Sequence, residues 1–194
     1  MKSTIFSLVF LFLLVAAQAQ DETLLGSSNI ESIGGFGGPI FQVASINGST
    51  TAVFGCGGGV VLNDFFIGGF GAGTELENTS IQSENYDLSL GYGGLWLGYS
   101  FADSRLLHPY ASLQAAIGGV EVYAAGADNP ISEETVGVLI PEAGLELNVA
   151  DWFKVVGTVG YRWMSELDDE TIIETEEFRN VSFGLTLRFG YFGR

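Results

Sequence analysis

The chain has 194 residues, 47% of them hydrophobic and only 15% charged, with 28 glycines, 4 prolines and a formal net charge of −16. That acidity disfavours nucleic acid as a partner. The single cysteine, Cys56, excludes an intramolecular disulfide framework and reads as a small packing residue.

Residues 1–19 have the grammar of a secretory signal peptide: Lys2, the apolar run Ile5 to Ala16, and the small-x-small site Ala17-Gln18-Ala19. Residues 20–33 read as a flexible polar lead. No later apolar run is long enough for a membrane helix.

Eight strand-like segments follow over 34–192: 35–46, 51–62, 65–74, 86–101, 110–123, 135–149, 152–164 and 178–192. Gly, Asn, Asp and Ser punctuate them, as in a barrel of hairpins. Short turns are expected at Asn63-Asp64 and Ala150-Asp151, and a slightly longer one from Asp103 to Pro109. Polar loops are expected over 75–85, 124–133 and 165–177. The first hairpin, turned at Asn47-Gly48-Ser49, breaks this short–long rhythm.

Side chains alternate sides along a strand, and the closing segment shows this most clearly. Val181, Phe183, Leu185, Leu187, Phe189 and Tyr191 share one face, with Ser182, Gly184, Thr186, Arg188 and Gly190 on the other. In the sixth segment Leu139, Ala143, Leu145, Leu147 and Val149 oppose Glu142, Gly144, Glu146 and Asn148. In the seventh, Val155, Val159, Tyr161 and Trp163 oppose Lys154, Thr158, Gly160 and Arg162. In the fifth, Leu113, Ala115 and Ile117 oppose Ser112, Gln114 and Gly118. The fourth needs a bulge near Gly93-Gly94 to send Leu95, Leu97, Tyr99 and Phe101 outward and Trp96 inward. A continuous apolar exterior around a polar, plugged interior is the pattern of a membrane barrel.

Aromatics gather at segment ends. Phe65, Phe66, Tyr99, Phe101, Tyr110, Trp152, Phe153, Tyr191 and Phe192 mark one rim, and Tyr86, Tyr123, Tyr161 and Trp163 the other, as two interfacial girdles would. The signal peptide, the eight alternating segments and the ending G-L-T-L-R-F-G-Y-F resemble the small eight-stranded outer-membrane β-barrels of the OmpA/OmpX type. They are similar above all to the porin-like outer-membrane barrels of Bacteroidota. The resemblance implies an all-β, antiparallel up-and-down transmembrane barrel in a Gram-negative outer membrane. Its implied partners are outer-membrane lipids, the barrel-assembly machinery during biogenesis and a larger membrane complex.

Five inward charges are expected to form a lumen cluster: Glu146, Lys154 and Arg188 together low in the lumen, Glu142 a few positions above them and Arg162 higher still. An eight-stranded barrel has room inside only for side chains, and buried charges must be paired. A salt-bridged plug is one reading and a narrow gated pathway the other. Most of the acid falls in the expected loops. Asp168-Asp169-Glu170 is a candidate for weak divalent-ion binding, but lacks the alternating ligands and Gly of an EF-hand. The only histidine, His108, is expected in a turn without a serine partner, which speaks against hydrolytic chemistry. The G-G-F-G-G and G-C-G-G-G runs lack the helix and Lys of a nucleotide loop, so no cofactor is expected. A soluble secreted barrel around an apolar ligand remains a third reading.

Overall fold

The structure is a computed structural model and describes residues 30–46, 49–81, 84–102, 105–124, 129–165 and 179–193. The expected signal peptide and all of the lead up to Asn29 lie outside these residues. Residues 32–194 form one compact unit. Its eight strands are β1 (Ile33–Ile46), β2 (Ser49–Leu62), β3 (Phe65–Ile81), β4 (Glu84–Ser100), β5 (Leu107–Ala124), β6 (Pro130–Ala150), β7 (Phe153–Met164) and β8 (Asn180–Tyr191). Each pairs antiparallel with its sequence neighbour, and β1 pairs with β8 to close the barrel.

The turns at Asn63-Asp64, Phe101-Ala102 and Asp151-Trp152 share one end, here the lower end, with the start of β1 and the finish of β8. Asn63 sits in the left-handed region (φ 56), which asparagine tolerates. Its amide donates to the Ser32 carbonyl (3.1 Å), and its side-chain oxygen accepts from the Ser32 amide (3.1 Å). The first lower turn thereby holds the start of β1.

Strand boundaries differ from the sequence reading in an informative way. β1 begins at Ile33, within the expected lead. The expected 75–85 loop is mostly strand, because β3 runs to Ile81 and β4 starts at Glu84. β6 likewise starts at Pro130 rather than after 133. Pairing between β2 and β3 stops at Phe54↔Gly73, and pairing between β6 and β7 stops at Val138↔Met164, whereas β3–β6 continue to pair with one another. The four middle strands therefore project above the rest. Polar residues joined this wall because each gains a strand neighbour, which outweighs their turn preference.

No bulge lies at Gly93-Gly94: β4 runs in unbroken register with β5 from Tyr86 to Ser100. Every second residue, Leu88, Leu90, Tyr92, Trp96 and Ser100, points inward and is buried. What changes along β4 is the surrounding medium. In the projecting wall the interior is apolar (Leu88, Leu90, Val120, Val122, Val136) and the exterior is polar (Asp87, Ser89, Glu121, Glu133). Below it the exterior is apolar. The expected uniformly polar interior is thus corrected to one whose upper part is an apolar core.

Outside, Leu145, Val159 and Leu185 are 51%, 50% and 44% exposed, amid Phe41, Phe54, Leu95, Leu113, Ile117, Leu139 and Phe183. Inside, close approach of strands excludes Cβ atoms at several points. One built on Gly38 would collide with the Leu187 carbonyl, and one on Gly118 with the Gly91 carbonyl.

Candidate functional site: the lumen

The lumen's charges separate into two groups. In the lower group Glu146, fully buried, is the hub. Lys154 Nζ donates to its Oε1 (2.8 Å) and Arg188 Nη1 to its Oε2 (2.8 Å). The Ser100 hydroxyl donates to Oε1 (3.3 Å), and His108 Nε2 lies 3.1 Å from the same oxygen. The short Ala150-Asp151 turn sets Glu146 opposite Val156 and so within reach of Lys154, and the β7–β8 register sets Lys154 opposite Arg188.

Aromatic rings enclose this group. The Arg188 guanidinium lies 4.4 Å from the centres of Phe36 and Phe66, 4.7 Å from Tyr110 and 5.1 Å from Trp96. It also donates to the Tyr110 hydroxyl (2.7 Å). Lys154 Nζ sits 4.4 Å over Phe192. Cation–π contacts of this kind strengthen when desolvated. Phe36, Phe66 and Trp96 meet edge to face at 5.1 to 5.6 Å, which fills the cross-section with rings.

The upper group is a relay. Glu142 touches no cation. Its Oε1 accepts from Gln42 (3.3 Å) and Thr158 (3.3 Å), and its Oε2 from Ser112 (2.7 Å) and Gln114 (3.2 Å). Gln42 in turn accepts from the Tyr92 hydroxyl (3.3 Å), which accepts from Arg162 Nη2 (3.1 Å). Of the five charges expected to cluster, then, Glu146, Lys154 and Arg188 meet directly. Glu142 and Arg162 are joined only through Gln42 and Tyr92.

Three aromatics are displaced from their expected rim. Tyr110 and Phe192, expected in the girdle, are 2% and 4% exposed and belong to the plug, as does Phe66. The parity of each strand decides this: Tyr110 shares a face with Ser112 and Gln114, and Phe192 with Arg188. Tyr99, Phe101, Trp152, Trp163 and Tyr191 point outward and are exposed. His108 is corrected too. It is a buried inward residue of β5, not a turn residue, and Ser100 reaches the same carboxylate. Sequence reasoning put Ser112, Gln114 and Thr158 on the inward face without pairing them to Glu142, and missed Gln42, Tyr92 and Ser100 as lumen partners. Their even-numbered inward positions were the available signal.

On the wall, the Tyr123 hydroxyl donates to Glu121 (2.5 Å). That bond, with Glu133 and Glu75 nearby, pushes the phenol above its ordinary pKa. Asp168, Asp169 and Glu170 lie outside the described residues.

No protein-family model matches this chain, and no curated protein matches it. Solved structures do. Neisserial surface protein A (NspA) is 13% identical, with 81% of this chain and 96% of that chain covered and a TM-score of 0.54. Ail, the attachment invasion locus protein of Yersinia pestis, is 19% identical, with 82% and 97% covered and a TM-score of 0.49. Ail in complex with the heparin analogue sucrose octasulfate gives 18%, the same coverage and the same score. With eight antiparallel strands closed in sequence order around a filled lumen, the chain has the fold of the small eight-stranded outer-membrane β-barrels.

Proposed function

We propose that this protein is a non-enzymatic integral outer-membrane barrel of a Gram-negative bacterium with a structural or surface-interactive role: membrane integrity, adhesion, or an accessory place beside a larger membrane complex. The observation that carries the reading is the reversal of exterior polarity along one strand. On β5 the outward residues from Leu107 to Ile117 are apolar or small, and the next outward side chains beyond Gly119 are Glu121 and Tyr123. At ~3.3 Å per residue and ~40° of tilt that apolar stretch spans about 25 Å, the height of a barrel's lipid-facing band. Exposed aromatics border it, with Trp152 and Tyr191 below and Tyr161 and Trp163 above.

The filled cross-section supports a plugged barrel over a channel, since rings and paired charges leave no wide water column at the Arg188 level. Ser100 and His108 are both committed to Glu146 and buried, which supports a role other than hydrolysis. Outer-membrane lipids and, during biogenesis, the barrel-assembly machinery are the partners this reading implies. The projecting acidic wall supports contact outside the membrane.

The test is reconstitution of the full mature chain. We expect it to require detergent or lipid to stay monodisperse and to give no discrete steps in planar bilayers. Regular single-channel openings would replace the plugged reading with the channel. A monodisperse protein in plain buffer would replace both with a soluble barrel.

A further inference from the structure

Among the described residues three buried cations, Lys154, Arg162 and Arg188, accompany two buried carboxylates, Glu142 and Glu146. Lys154 and Arg188 both contact Glu146, whereas Arg162 touches neither carboxylate directly. Arg162 is 0% exposed, donates only to the Tyr92 hydroxyl, and has no hydrogen-bonding partner at Nε or Nη1. Glu142 cannot relieve it, because both carboxylate oxygens are engaged by Gln42, Thr158, Ser112 and Gln114. An uncompensated ion in a dry interior is strongly destabilising, and a guanidinium, unlike an amine, does not escape by losing its proton.

We propose that Arg162 is the anchor of a monovalent-anion site in the upper half of the lumen, built to take one small, weakly hydrated anion of the chloride or bromide class. The surroundings select for that class. Apolar Val138, Ile140 and Met164 are buried in the same part of the barrel, and the Tyr92 ring lies 5.5 Å from the guanidinium. A weakly hydrated ion loses less on entering such a half-apolar place than phosphate or sulfate does. The Arg162–Tyr92–Gln42–Glu142 relay then holds the guanidinium still, with two donor nitrogens left to the ion.

Bromide is the probe. Crystals of the full mature protein grown in detergent with sodium bromide are measured at the bromine absorption edge. The expected result is an anomalous peak inside the barrel within about 4 Å of the Arg162 guanidinium, as hydrogen-bonded contact requires. Absence of a lumen peak, a chain carboxylate against Arg162, or surface peaks only would overturn the site. Thermal unfolding gives a second readout. At equal ionic strength, bromide should raise the Tm relative to fluoride, and Arg162→Met should abolish that difference. An equal bromide effect in both proteins would assign it to the surface and overturn the site. The bromide map of the unaltered protein decides if the variant does not fold.

Discussion

Replacing Glu146 with alanine will destabilise the barrel by about 3–5 kcal/mol, the cost of leaving buried charge without its partner. Lys154, Arg188 and His108 all face this carboxylate. The loss is measured as a fall in urea midpoint and in the temperature at which heat-modified gel mobility changes. Glu142→Gln, by contrast, should cost well under half as much, because the partners it leaves are neutral hydroxyls and amides. Replacing Lys154 and Arg188 with methionine in the Glu146→Ala background should recover most of the loss, since an apolar plug of similar volume removes the stranded charge. An unchanged midpoint in Glu146→Ala would show that the cluster does not hold the barrel closed.

The second large effect belongs to the exterior. Leu145→Arg should cost about 2–4 kcal/mol in lipid, as arginine does at the middle of a barrel's lipid-facing band. Ile131→Arg should change stability by no more than about 0.5 kcal/mol. Both leucine and isoleucine are about half exposed, at 51% and 52%, so burial within the protein cannot distinguish them. Ile131 lies on the wall beside Glu133, above the apolar band, and only the surrounding medium differs. Reversible unfolding of both variants in the same lipid vesicles measures the contrast. Equal costs would place water, or equally lipid, around both sites.

Much of the fold was legible because β7, β8 and the lower parts of β5 and β6 alternate within a single medium. Leu145, Val159 and Leu185 face out, and Glu146, Lys154 and Arg188 face in, as parity alone dictates. The lower charge cluster was legible for a second reason: one tight turn fixes the β6–β7 register and brings Glu146 near Lys154. Glu142 and Arg162 lie above that cluster, as their positions along β6 and β7 implied, but what joins them was not legible. Gln42 and Tyr92 enter between them from β1 and β4, and which strands face each other across a lumen follows from closure, not from neighbouring turns. Tyr110 and Phe192 were misplaced because their position at strand ends was weighed above their parity. The bulge expected at Gly93-Gly94 arose from assuming one medium for the whole of β4. Leu88 and Leu90 face inward just as Trp96 does, and only the exterior changes from lipid-like to polar.

The central claim is that hydrocarbon chains cover the exterior at the level of Val159, and spin-label accessibility tests it most directly. Nitroxides are placed singly at Val159 and at Trp163 in a Cys56→Ser background, and the protein is reconstituted in phospholipid vesicles. The account predicts that the label at 159 collides readily with molecular oxygen and hardly at all with a water-soluble nickel chelate, with the label at 163 nearer the balance point. Strong nickel collision at 159, or exclusion of both reagents there, would mean that water or another protein surface covers that face, and would contradict the account.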